Sequence, residues 1–409
     1  MSGLNSYWII IAAAILVILS YLFNLFSKAT GVSAVLLLLL CGIGTKEFFI
    51  YNQINLSIPP VVVEVFGIAG LVMIILEAGL DLKVAKEKVK TVRNAFLSAL
   101  IILLLSVVAC SAFLYYQLNE ELLKCIIYAL PLSIVSSSIV IPSIDHLTDS
   151  KKEFLVYETS FSDVIGILLF NYMVAGNILQ GTNIAMFFGS ILLSVLVSVV
   201  LSVLMLLLLS RIRTKVRFFL VFAILVFLYA GGKMLHLPSL LIILLFGLIV
   251  SNWELHLFQR FYQWAAVDRV KEILLLLHSL TAESSFLIRT FFFFIFGLSI
   301  DVRLLFNEEV VFTGGVIVLL LLGIRFIYLR FFLKAHILPE LFFMPRGLIT
   351  ILLFYSIPGA YQLSKFNLGI LFFVVLTTSI IMTLGSITYG KTAIQTVGDE
   401  VPLTDQNEL

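Results

Sequence analysis

Two carboxylates, Glu158 and Asp163, open the stretch YETSFSDVIGILLFNYM (157–173), a run otherwise suited to lipid. A charge at mid-bilayer costs at least about 2.5 kcal/mol unless it is paired or wetted, so intramembrane charges are functional candidates. Residues five apart on a helix project about 140° from one another, so these two cannot face one partner. One can be neutralised by an arginine while the other points into a cavity. Arg325, in LLLLGIRFIYLR, is the natural partner for Glu158, because a guanidinium among leucines demands a counter-charge. Asp163 is then left as a single desolvated carboxylate, a group that can hold a proton or a metal cation but not both. Competition of that kind is the chemistry of cation/proton exchange.

Further charges fall inside apolar runs. Glu64 and Arg289 lie near the ends of theirs and are expected to snorkel towards the interface. Glu77, in ILEAGLDL, either lines an access path or reaches the interface. Arg346 belongs to MPRGLITILLFYSIPGA, where Pro345 and Gly347 flank it and Pro358 and Gly359 follow. A similar interruption, LPLSIVSSSIVIPSID, brackets Ser136, Ser137 and Ser138 between Pro131 and Pro142. Proline removes a helix hydrogen bond, and serine can satisfy the freed groups. Unwound backbone at membrane depth is tolerated only where it is buried or lines a cavity. A matched pair of interruptions points to the binding site of an inverted-repeat transporter. The two are expected to cross near mid-membrane, their hydroxyls and freed carbonyls facing Asp163.

The elements that must hold these residues are helices. With 61% hydrophobic residues, 12% charged residues and a mean hydropathy of +1.14, the chain is far from a soluble domain. Apolar runs of roughly 20 residues recur along it, each able to cross a bilayer core of about 30 Å as a helix. A β-barrel would show short alternating segments instead. The reading is all-α and polytopic, with about thirteen spans. They fall near 7–26, 29–44, 58–80, 92–116, 121–144, 154–176, 184–210, 216–231, 237–251, 280–300, 309–330, 340–360 and 366–389. The first is expected to be a retained helix, since no basic residue precedes it and no small-residue cleavage site follows.

Loop charge sets the orientation. Lys83, Lys86, Lys88, Lys90, Arg93, Lys151, Lys152, Arg211, Arg213, Lys215 and Arg217 fall on one side of the alternation. Few basic residues fall on the other, which places the N-terminus outside and the C-terminus in the cytoplasm. DLKVAKEKVKTVR (81–93) is thus a topology anchor rather than a lipid or nucleic-acid patch. NWELHLFQRFYQWAAVDRVKE (252–272) is expected to lie along the interface. Cys41, Cys110 and Cys125 have no paired spacing and read as packing residues, not disulfides or zinc ligands. Residues 1–177 form a first repeat half, 178–215 a linking span, 216–390 a second half, and 391–409 a short cytoplasmic tail.

At these motifs the chain resembles the monovalent cation/proton antiporter superfamily, closest to its NhaP/NHE-type sodium/proton exchangers, over roughly residues 7–390. ETSFSD (158–163) is similar to the family's E-S-x-F-N-D, with the acidic transport residue on Asp163 and the structural glutamate on Glu158. Arg325 falls where the family places the glutamate's partner, and PRG (345–347) resembles the start of its second broken helix. LEAGLDL (76–82) and FFFFIFGLSI (291–300) are similar to its helix-end patterns. The resemblance implies that Thr159 is a cation ligand beside Asp163. It also implies a core domain moving against a dimerisation domain in a homodimer. Two positions differ from the family pattern: Ser162 replaces the asparagine, and Ser136, Ser137 and Ser138 replace T-D-P, so the first broken helix lacks an acid.

The function read from the chain is antiport of Na⁺, with Li⁺ or K⁺ as alternatives, against H⁺ in the plasma or inner membrane. The Glu158–Arg325 pair would leave one titrating charge and an electroneutral exchange. The ion-binding candidates are Asp163, Thr159, Ser162, Ser136, Ser137 and Ser138, with Arg346 and Glu77 as additional ones. No resident cofactor and no nucleic-acid partner are expected. A cation channel would want a filter loop or charged ring. A sodium-coupled symporter of an organic anion would share the crossed broken helices. Neither a P-loop nor a G-x-S-x-G nor His/Glu metal spacing supports an enzyme.

Overall fold

Helices fill most of the apolar runs, because inside a bilayer only a helix satisfies its own backbone. The computed structural model describes residues 6–53, 60–82, 88–144, 147–174, 181–211, 218–234, 237–252, 267–333 and 338–399. No strand occurs among them. In chain order the helices are α1 (Ser6–Thr30), α2 (Ala34–Tyr51), α3 (Pro60–Asp81), α4 (Val89–Leu118) and α5 (Leu122–Ser133). Next come α6 (Ser137–Val140), α7 (Asp149–Val174), α8 (Gly181–Arg211), α9 (Phe218–Met234) and α10 (Ser239–Ser251). The last are α11 (Val267–Ser299), α12 (Val302–Leu305), α13 (Glu308–Ile327), α14 (Leu348–Tyr355) and α15 (Gly369–Asp399). Among the described residues, seven stretches are long and apolar enough to cross a membrane, and shorter apolar helices lie at 189–205, 220–234 and 239–251.

Several boundaries differ from the sequence reading. The second run begins at Ala34 rather than 29 and continues to Tyr51, through Lys46 and Glu47, because one polar pair does not end a helix. The tenth begins at Val267, so residues 267–272, its charged first turns, are part of the same helix. The twelfth is helical only over Leu348–Tyr355. α15 runs on to Asp399 through a segment without proline, where a tail was expected. α13 ends in a π-helical turn, Tyr328–Leu333, just beyond Arg325. Residues 83–87 of the 81–93 anchor, the 253–266 segment and the Glu64 side chain lie outside the described residues.

Two bundles result. In one, α4 packs along α5, α7 and α13, α13 meets α15, and α14 packs on α5. In the other, α11 packs on α2 and α3, while α10 packs on α3, α8 and α9, and α1 on α2. They touch where α3 meets α14 and α7, α10 meets α7, and α15 meets α2.

The second bundle is built around two close glycine crossings. A Cβ on Gly42 of α2 would stand 2.9 Å from the Gly297 α-carbon of α11. A Cβ on Gly247 of α10 would stand 3.0 Å from the Gly79 α-carbon of α3. Helices driven together by packing rather than by water approach this closely only over small residues. Each crossing also caps a helix end. Lys46, one turn after Gly42, donates to the Ile300 carbonyl at 2.8 Å. Ser251, one turn after Gly247, donates to the Leu80 carbonyl at 2.6 Å, and Asn252 to that of Leu82 at 2.7 Å.

Candidate ion-binding site

Proline explains where the first bundle comes apart. Pro131 lies within α5, which stops at Ser133; Ile134 and Ser136 are extended before the short α6 begins. Pro345 biases Met344 towards extended backbone, and α14 starts only at Leu348. The two unwound stretches meet: the Ser136 amide donates to the Pro345 carbonyl at 3.0 Å. Gly347 lies against Ser136, whose Cβ would be 2.9 Å from any Cβ placed on the glycine.

Freed backbone groups at the crossing are taken up by side chains, as buried peptide groups must be. The Val135 amide donates to Ser162 Oγ at 3.0 Å, and the Arg346 amide to Thr378 Oγ1 at 3.1 Å. Arg346, 1% exposed, donates from Nε to the Leu132 carbonyl at 2.7 Å, from Nη2 to that of Ser133 at 3.3 Å, and from Nη1 to that of Met344. Its cation therefore caps the C-terminal end of α5, where the helix dipole favours positive charge. No carboxylate pairs with it among the described residues.

Asp163 faces the opposite pole. The Ser137 amide donates to its Oδ2 at 3.2 Å, and Ser137 Oγ donates to the same oxygen. Asp163 is 3% exposed, and Oδ1 is buried without a hydrogen-bond partner. Among the described residues no basic side chain pairs with it. It lies packed against Ser137. Thr350 Oγ1 and Ser160 Oγ, both buried, are also without partners.

Glu158 and Arg325 are each 1% exposed and joined as a fork: Nη2 to Oε2 at 2.7 Å and Nη1 to Oε1 at 3.1 Å. Ser98 donates to Glu158 Oε1 at 2.6 Å, and Arg325 Nε donates to the Glu340 carbonyl at 2.9 Å. All three guanidinium nitrogens and both carboxylate oxygens are thereby engaged, which is how a buried ion pair is tolerated.

The other candidates fall as follows. Thr159 donates to the Leu155 carbonyl of its own helix at 2.8 Å, which leaves oxygen lone pairs free to accept. Ser136 and Ser138 share a hydroxyl contact at 2.8 Å. Glu77 is not joined to the crossing; it stands 3.5 Å from Arg289, which is thus held by a carboxylate and does not snorkel alone. Sequence reasoning missed Ser98, Thr378 and Glu340. Ser98 was visible only as a single hydroxyl in an apolar run, Thr378 only as one of three in LTTSI (376–380), and Glu340 looked like a charge at a span end.

The chain matches the family described as sodium/hydrogen exchanger, transmembrane, over residues 11–388, and belongs to that family of transporters. No curated protein sequence matches it. Among solved structures it is similar to the sodium proton antiporter MjNhaP1 from Methanocaldococcus jannaschii at pH 8. The TM-score is 0.67 at 16% identity, covering 95% of this chain and 100% of that one. An electron-microscopy structure of the same antiporter gives 0.66 at 16% identity, covering 99% and 100%. At that identity the likeness carries the fold.

Proposed function

We propose that the protein is a secondary antiporter exchanging a monovalent cation, Na⁺ first, with Li⁺ and K⁺ as alternatives, for H⁺ at Asp163. One observation carries the reading: a buried carboxylate at the crossing of two unwound segments, with one oxygen unpartnered and no basic neighbour among the described residues. A carboxylate so placed favours either a proton or a dehydrated cation. Ser137 fixes its orientation, and Thr159, Ser162, Ser136 and Ser138 supply the nearby oxygens. With Glu158 matched by Arg325, the carrier has the same charge whether loaded with a proton or a cation, so one-for-one exchange is electroneutral.

The two glycine crossings support an inverted repeat of residues 1–177 and 216–390 about a linking helix. A seven-span offset maps α2 onto α10 and α3 onto α11, and it exchanges one crossing for the other, together with the caps beyond them. Transport would then be movement of the α4–α7 and α13–α15 bundle against the glycine-crossed one. The favoured setting is a cell membrane with the N-terminus outside, as a dimer.

Cation-driven proton flux in proteoliposomes tests the reading. Asp163→Asn should abolish flux while the protein still folds, because the amide keeps the shape and removes the charge. Retained flux in that variant would refute the assignment.

A further inference from the structure

A chain of charged contacts leads from the surface to the buried pair. Lys151 and Glu158 lie seven residues apart on α7, two turns along one face. Glu158 holds Arg325. Lys151 Nζ stands 3.2 Å from Glu340 Oε1 and 3.3 Å from Oε2, and donates to the Leu338 carbonyl at 2.7 Å. Glu340 closes the circuit, since its backbone carbonyl accepts from Arg325 Nε at 2.9 Å. Two cations from different helices therefore grip the same short piece of chain, 338–340, just ahead of the unwound 343–347. The far end of that stretch is held by the Ser136 amide on Pro345 and by Arg346 on Met344. Lys151 is 31% exposed and Glu340 12%.

We propose that Lys151 and Glu340 are positioning residues for cation binding, holding the start of the second unwound segment and, through Arg325, the orientation of Glu158. Neither bonds to Asp163. An exposed ion pair by itself is worth little. This one differs because the glutamate's own carbonyl steadies a buried guanidinium, so a surface contact is tied to the crossing. Loosening it would shift the second unwound segment at its crossing with the first, which holds Asp163 through Ser137, and weaken cation binding more than it slows the carrier's movement.

The proposal rests on the antiport reading. Its test is cation-driven proton flux against cation concentration in proteoliposomes, with melting temperatures measured in detergent. Lys151→Met and Glu340→Gln should each raise KM about tenfold while kcat stays within about twofold. Lys151→Arg, which keeps charge and donors, should stay near wild type. The double variant should be no worse than the worse single, because residues acting as one pair are not additive. Wild-type KM in Lys151→Met, a loss confined to kcat, or additive effects in the double variant would overturn the positioning role. Should Glu340→Gln fail to fold, Lys151→Met against Lys151→Arg carries the test. Absence of flux in the wild-type protein would instead refute the antiport reading, and the positioning role with it.

Discussion

Asp163 and Glu158 share one helix and little more than one turn, yet they meet opposite environments. Glu158 is saturated by a forked guanidinium and Ser98, whereas Asp163 keeps an unpartnered oxygen. The difference follows from their separation around the helix, which turns them to different neighbours. Removing one partner of the pair strands a buried charge. Arg325→Ala should therefore lose about 3–5 kcal/mol of stability, read as a lower melting temperature. Replacing both, with Glu158→Gln and Arg325→Met, should lose less than Arg325→Ala alone. A fully stable Arg325→Ala protein would contradict a bracing role. The arginine and glutamate were legible because both stand in apolar runs. Glu340 was not, since its contribution at the pair is a backbone carbonyl, which no side-chain identity announces.

At the scale of elements, prolines marked both interruptions, and the structure has helix breaks beside Pro131 and ahead of Leu348. Sequence could not show how the freed groups are shared. The Ser136 amide meets the carbonyl of the other segment, and Arg346 serves three carbonyls rather than a carboxylate. Helix ends were the least legible feature: α11 starts well before its apolar run because arginine, lysine and glutamate continue a helix about as readily as leucine does. The glycine crossings were hidden too, as nothing in a lone glycine names its partner. Gly297→Val and Gly247→Val should each destabilise the protein by about 1–3 kcal/mol, because backbone faces each added side chain. Melting curves of the two variants in one detergent test this. A neutral effect in either would show that the helices can part there without loss.

For the molecule as a whole, the membrane class was readable from hydropathy. The division into two bundles needed the packing. If one carboxylate serves both substrates, raising pH should lower the apparent KM for the cation. The sign follows from competition, because at low pH the cation must displace a proton, and once Asp163 is ionised the dependence should flatten. Flux measured from about pH 6 to about pH 9 with Na⁺, Li⁺ and K⁺ in turn would show this and rank the ions. With charge equal in both loaded forms, an imposed membrane potential should leave the rate unchanged. A potential-dependent rate would contradict one-for-one exchange.

The shared-site claim is met most directly by calorimetry of cation binding to the purified protein in buffers of different ionisation enthalpy. Binding to a protonated Asp163 must release its proton, as with any cation that needs a deprotonated ligand. The wild-type protein should release close to one proton per cation bound at low pH, falling towards none at high pH. Asp163→Asn should release none. Cation binding by the wild-type protein without proton release at any pH would contradict a single site for both.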